Sequence, residues 1–289
     1  MKDFKGKTAL ITGGAGGLGM GFAAEAADRQ MNVVLADVEV DALNKAVAEL
    51  EERQCPVLGV VTDTRQRDNY ERLLDSTQSR FGNIHLFFNN AGVVNGGKPV
   101  PIWELPDTDW AWVMGVNFYG VLNGLQIIAP HMVAHGEQGH IVNTASIASF
   151  IPGGGPYGVS KFGVIHISEA LSLDLRKIGS KIGASVLCPG WVNTGIGDAE
   201  RNRPPELRSE VNPDKKGLGI DELLAGSKSP GDLAAHVFEA IENEQFYIFP
   251  HEGWDYMVRG HYEAMLDRGD VYHFDLQTHV ATRGDGKDI

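Results

Sequence analysis

The stretch "TALITGGAGGLG", residues 8–19, decides the fold. It opens with a short apolar, partly β-branched run, which suits a strand buried on both faces. The run ends in a turn holding five glycines. Glycine admits φ > 0 and lets the backbone approach a ligand closely. A helix opening after such a turn aims free N–H groups and the positive end of its dipole at a phosphate. By spacing alone the glycines fit G-x-G-x-x-G as Gly14, Gly16 and Gly19, and other registers remain open. No Gly-Lys-Ser/Thr follows, which excludes a Walker A loop. Asp37 ends the next apolar run, 20 residues after Gly17. That spacing suits an acid accepting from adenosine ribose hydroxyls.

The same grammar continues along the chain. Short apolar runs at 8–11, 33–36, 57–61, 84–88, 140–143, 184–187 and 246–249 are bounded by Gly, Pro, Asn or Asp. Between them lie helical patterns at 41–53, 66–80, 109–134 and 157–178. In "DALNKAVAELEER" (41–53) the apolar residues Ala42, Leu43, Ala46, Val47 and Leu50 follow a 3.6-residue period. Strands alternating with helix-length crossovers predict an α/β fold: a Rossmann-type, doubly wound parallel sheet of seven strands with helices on both faces. We expect a single catalytic domain over residues 1–268. Within it, the Gly-, Pro- and charge-rich region 195–229 reads as a substrate lid. The polar tail 269–289 is expected to pack poorly.

Composition narrows the function classes. Of 289 residues, 43% are hydrophobic and 22% charged, as in an ordinary globular protein. The net charge of −13 argues against nucleic acid and anionic membranes as partners. No apolar signal core stands at the N-terminus, and no apolar run reads as long enough to span a bilayer. Cys55 and Cys188 are far apart and lack metal-type spacing, which suits a reducing cytoplasm.

A second stretch, "GPYGVSKFG" (155–163), places a phenol and an ammonium four residues apart. On a helix Tyr157 and Lys161 share a face, with Gly155 and Pro156 as the turn leading in. Alone, such a pair is an ordinary surface feature. Together with the other motifs, the chain resembles the short-chain dehydrogenase/reductase family in its compact, single-domain branch. The resemblance runs from residue 5 to about 250 and rests on seven motifs in order. They are "TGGAGGLG" (12–19), "DT" (63–64), "NNAG" (89–92), "NFYG" (117–120), "NTAS" (143–146), "YGVSK" (157–161) and "PGWVNT" (189–194).

The resemblance implies NAD as cofactor, a small-molecule substrate, and a homodimer or homotetramer. It selects Gly13, Gly17 and Gly19 in the glycine turn, with Leu18 beside them. It also implies cofactor contacts at Asp37, Asp63, Thr64, Asn90, Ala91, Gly92, Pro189, Gly190, Val192 and Thr194. Tyr157 becomes the acid/base, and Lys161 both its activator and a holder of the nicotinamide ribose. Ser146 polarises the substrate oxygen, with Ser149 as rival. Asn117 bends its helix and holds a water in a proton relay to Lys161, with Asn123 as alternative. Ten residues separate Ser146 from Tyr157, a shorter loop than the family commonly has.

Elementary electrostatics supports the Tyr–Lys assignment. A free phenol titrates near 10, so bringing it to neutrality takes roughly 3 units, or about 4 kcal/mol. An ammonium about 4 Å away supplies about 4 kcal/mol at an effective dielectric of 20. Asp37 should repel a 2′-phosphate, and neither positions 14–18 nor Val38 and Glu39 offer a cation to hold one, so NAD is expected over NADP.

Val94, Phe150 and Trp191 are expected to line the substrate pocket, which makes the reacting end hydrophobic. Arg201, Arg203 and Arg208 are candidates for a polar substituent on the substrate. "ERNRPPELR" (200–208) and 247–266 further resemble bacterial dehydrogenases of aryl-bearing secondary alcohols, including those acting on lignin-derived aryl ethers. The expected reaction is therefore oxidation of a hydrophobic, aromatic secondary alcohol. Other secondary alcohols, such as hydroxysteroids, are the alternative. A non-catalytic dinucleotide-binding regulator is the rival of another class; it has no need of a lysine-activated phenol. His131 and His135 are four apart, but no glutamate lies between them and no third ligand is near, so no metal is expected.

Overall fold

The computed structural model describes residues 1–96, 100–208 and 227–275. Seven strands form one sheet: β1 (Thr8–Thr12), β2 (Asn32–Asp37), β3 (Val57–Val61), β4 (Leu86–Asn89), β5 (Gly139–Thr144), β6 (Ile182–Leu187) and β7 (Tyr247–Ile248). Their order is β3-β2-β1-β4-β5-β6-β7, and every neighbouring pair is parallel. The chain winds outward from β1 to β3, then returns to β4 and winds the other way. The reversal between β1 and β4 opens a crevice at the carboxyl ends of the strands, where ligands bind in such sheets.

Alternation along each strand explains the two helical layers. Ala9 and Ile11 of β1 and Leu86 and Phe88 of β4 face α1 (Gly17–Asp28), α2 (Val40–Glu52) and α7 (Pro230–Glu242). Phe22 of α1 stacks on Phe88 with ring centroids 4.4 Å apart. Leu10 and Phe87 face the opposite layer, α3 (Arg67–Phe81), α5 (Gly120–Ala134) and α6 (Gly155–Lys177). Each fully buried side chain of this size contributes roughly 2–3 kcal/mol of apolar transfer.

Between α4 (Asp107–Met114) and α5 the helix widens into a π turn over Gly115–Tyr119, with Asn117 at its middle. The combined stretch Asp107–Ala134 is long and apolar enough to cross a membrane by length and composition, contrary to the sequence expectation. Here Ile127, Ile128 and Met132 are packed in the layer beside α3. His131 and His135 serve the backbone: Ile84 N–H donates to His131 Nε2 (3.2 Å), and His135 Nε2 donates to the Ile84 carbonyl (2.9 Å).

The last helix, α8 (Asp255–Leu266), did not stand out in the sequence. It carries the buried Met257 back against Trp254 and Val186. Beyond it, Phe274 of the predicted loose tail packs on that same cluster, while residues 276–289 lie outside the described residues. So does 209–226, the larger part of the predicted lid.

Candidate active site

A cavity of about 530 Å³ runs along the carboxyl edge of the sheet at the switch point. One end is built by the glycine turn. Gly13 and Gly17 have φ of +63° and +51°, whereas Gly14 and Gly16 do not need the left-handed region. A Cβ on Gly19 would stand 1.9 Å from the Gly13 carbonyl oxygen. The positive φ at Gly13 and Gly17 and the close approach at Gly19 fit the Gly13, Gly17, Gly19 register, and Gly13, Gly16, Gly17 and Leu18 stand in the cavity wall. Gly19 lies behind the wall and lets the helix close on the turn.

Asp37 stands beside this turn. Its carboxylate accepts from the Ala15 and Glu39 N–H groups, each at 3.0 Å, and it lines the cavity. Asp63 and Thr64 line the same end, and Arg65 forks onto the Asp63 carboxylate at 2.7–3.1 Å. Asn123 donates to the Thr64 carbonyl (3.0 Å) and so braces this loop.

The "NNAG" turn is locked by residues that sequence reasoning passed over. Thr12 Oγ1 accepts from the Asn90 and Ala91 N–H groups (2.9 and 3.1 Å). Thr144 Oγ1 donates to Asn90 Oδ1 (3.2 Å). Asn89 points into the protein and donates to the Val121 carbonyl (2.8 Å). Asn90, Ala91 and Gly92 are thereby presented to the cavity.

Tyr157, Lys161 and Ser146 line its central part together. The helix carrying the pair starts at Gly155, with Pro156 inside its first turn, slightly earlier than the sequence suggested. Lys161 is 2% exposed; its Nζ donates to the Thr144 carbonyl (2.8 Å) and lies 5.9 Å from the Tyr157 ring centroid. Burial lowers the ammonium pKa to about 8. Burial also pushes the Tyr157 phenol above its ordinary value, while a hydrogen bond with Ser146 pulls it back. The protein alone therefore does not produce the depressed phenol that the charge argument anticipated. Burial disfavours the charged form of both groups.

Ser146 caps the short turn Ile147–Phe150, its hydroxyl accepting from the Ala148 N–H (3.2 Å). Ser149 is buried and forms no part of the wall. Asn117 is fully buried and also stands behind the wall. Its amide grips Val93 at both N–H and carbonyl (2.8 and 2.9 Å) and donates to Ser160 Oγ (3.1 Å). Ser160 in turn donates to the Tyr157 carbonyl (2.7 Å). The π turn at Asn117 thus ties the post-β4 segment to the helix that carries Tyr157.

The far end of the cavity is apolar. Val94 and Trp191 line it together with Ile147, Ile151, Trp254, Met257 and Phe274. Phe150 does not. It is 2% exposed and packs among Phe162, Phe249, His261 and Tyr262, because the turn after Ser146 directs it toward α8. Pro189, Gly190, Val192 and Thr194 complete the wall. Gly190 has to be glycine, since a Cβ there would meet the Trp254 ring at 2.3 Å. His251 accepts from the Gly190 N–H (3.1 Å) and donates to the Trp191 carbonyl (3.0 Å), fixing this turn.

Gly195, Ile196, Ala199, Arg201 and Asn202 of the segment after Thr194 also line the cavity. Two of the three arginines proposed for the substrate are engaged by carboxylates. Arg203 pairs with Asp109 at 2.6 Å, both side chains 2% exposed, and stacks over Trp112. Arg201 forks onto Glu39 at the Asp37 end. Arg208 is exposed and lies outside the wall.

Comparison with known proteins agrees with this geometry. The model of the family described as short chain dehydrogenase matches residues 7–204. The chain is similar to a short chain dehydrogenase/reductase of Burkholderia phymatum whose crystal structure is in complex with NAD. The TM-score is 0.89 at 41% identity, over 96% of this chain and 99% of that one. It is 33% identical to a C alpha-dehydrogenase of Sphingobium sp., over 92% of this chain and 88% of the relative. It is 32% identical to a CLA biosynthesis dehydrogenase/reductase of Lactiplantibacillus plantarum, over 95% of this chain and 99% of the relative. With the glycine turn, the Tyr157–Lys161 pair and the seven-stranded parallel sheet in one cavity, the chain belongs to the short-chain dehydrogenase family.

Proposed function

We propose that this protein is an NAD-dependent dehydrogenase that interconverts a hydrophobic, aryl-bearing secondary alcohol and its ketone. The observation that carries the substrate class is the apolar wall of Val94, Ile151, Trp191, Trp254, Met257 and Phe274 next to Ser146 and Tyr157. A sugar placed there would leave its hydroxyls without partners, which is costly in a dry pocket.

The cavity suits an extended dinucleotide. The glycine turn leading into α1 and the carboxylates of Asp37 and Asp63 stand at one end, and Lys161 lines the central part. NAD, when bound, supplies the hydride acceptor. Ser146 Oγ hydrogen-bonds the substrate oxygen, and Tyr157 Oη takes the hydroxyl proton as the C–H hydride leaves. Lys161, cationic below pH 8, favours the phenolate and holds the ribose. The names of the Sphingobium and Burkholderia relatives support both the cofactor and the chemistry.

Rates on 1-aryl alcohols, hydroxysteroids, small aliphatic alcohols and polyols test this reading. The 1-aryl alcohols are expected to lead, and a clear preference for polyols or sugars would overturn it.

The segment 195–208 is read as the described part of a lid over this pocket. Assembly is part of the proposal. Phe162 and Leu173 of α6 and Tyr119 beside α5 are exposed, more apolar surface than one sheet-facing stripe leaves over. Light scattering at micromolar concentration should give a dimer or tetramer, and a purely monomeric species would contradict it. A reducing, cytoplasmic location suits the two buried, unpaired cysteines.

A further inference from the structure

We infer that Glu39 sets cofactor choice by masking Arg201, a guanidinium that would otherwise be available to a 2′-phosphate at the adenosine end of the cavity. The inference rests on the dinucleotide reading above. Arg201 reaches Glu39 from 162 residues away, and both line the cavity with Asp37. Arg201 Nη2 donates to Glu39 Oε1 at 2.6 Å and Nε to Oε2 at 3.2 Å. Asn202 Nδ2 adds a bond to Oε1 at 2.8 Å.

The other side of the guanidinium is held independently of Glu39. Nη1 donates to the Gly195 and Asp198 carbonyls at 3.0 and 2.8 Å. These bonds keep Arg201 at the cavity rim whatever stands at position 39. The edge turned to Glu39 is a two-donor fork, which matches phosphate as well as carboxylate.

Two carboxylates then act differently at one place. Asp37 faces the ribose and repels a 2′-phosphate directly. Glu39, two residues on, neutralises a nearby cation. Arg65 also lines this end, and it is neutralised in the same way by Asp63. The Glu39–Arg201 pair is 29% and 41% exposed, so it adds little to stability. Its consequence lies in ligand selection.

The test is equilibrium binding of NADH and NADPH to the full chain, followed by tryptophan fluorescence. Wild type, Glu39→Gln and Glu39→Gln/Arg201→Gln are compared, with circular dichroism as a check of folding. Glu39→Gln should tighten NADPH relative to NADH by roughly tenfold, one charge-assisted phosphate contact. The double variant should lose that gain, and added salt should reduce it. An unchanged ratio in Glu39→Gln would overturn the inference. A gain that survives in the double variant would do so too, because removal of negative charge alone would then account for it. NADH binding intact in wild type separates these failures from failure of the cofactor reading. If wild type bound neither dinucleotide, that reading and this inference would fall together.

Discussion

Tyr157→Phe is expected to lower kcat for alcohol oxidation by about 10²–10⁴-fold while leaving NADH affinity little changed. The substitution removes one oxygen and keeps the ring, which packs beside Trp112 and Val93. What disappears is the group proposed to exchange a proton with the substrate oxygen. Burial raises the phenol pKa, so in the protein alone it is protonated at neutral pH. That form is ready to donate to a ketone, whereas alcohol oxidation needs the phenolate. Oxidation by the wild type should therefore rise with pH only while Lys161 keeps its charge, and gain nothing further once pH passes about 8. Pre-steady-state rates across pH, with NADH binding measured in parallel, check both statements. Retention of more than a few per cent of wild-type turnover by Tyr157→Phe would remove the acid/base assignment.

Lys161→Met should have two large and separable effects. Activity should fall by about 10²–10³-fold, as for loss of a preorganised cationic donor, and NADH should bind more weakly. Stability should change with pH in a defined direction. The ammonium pKa is about 8 in the folded chain against an ordinary 10.5. Below pH 8 the lysine is charged in both folded and unfolded states, and its burial works against folding. Between pH 8 and 10.5 the folded state gives up the proton first. The wild type should thus gain up to about 3 kcal/mol relative to Lys161→Met over that window. Urea denaturation of both proteins at pH 7 and pH 10 measures the difference, and a difference flat with pH would contradict a buried, desolvated ammonium.

Much of this architecture is legible in local sequence. Buried parallel strands announce themselves as β-branched runs with glycine or asparagine at their ends, and the structure moves their bounds by only one or two residues. Asp37 is marked by a spacing that encodes a strand end, and the Tyr157–Lys161 pair by one helical turn, though only the family resemblance gives that pair its roles. The glycine register was not settled by spacing; it depends on which residues have φ > 0 and on how closely Gly19 approaches Gly13.

Contacts made across the chain were out of reach. Arg203 looked like a free cation because Asp109, its buried partner, is 94 residues away. Trp254, Met257 and Phe274 enter the pocket only through the path of the chain after β7. Phe150 was placed in the pocket by its proximity to Ser146, but a short turn points it to the other side. The phenol was expected to be depressed because Coulomb attraction was weighed without the desolvation that accompanies it.

In the proposed reaction Ser146, Tyr157 and Lys161 handle the hydroxyl proton of a secondary alcohol while its C–H hydride would pass directly to NAD. The most direct measurement is NADH absorbance after mixing the purified protein with NAD and a 1-aryl secondary alcohol, with Tyr157→Phe in parallel. NADH and ketone are expected in equal amounts from the wild type, with almost none from the variant. No NADH from the wild type on any secondary alcohol, or equal NADH from both proteins, would contradict the proposed reaction.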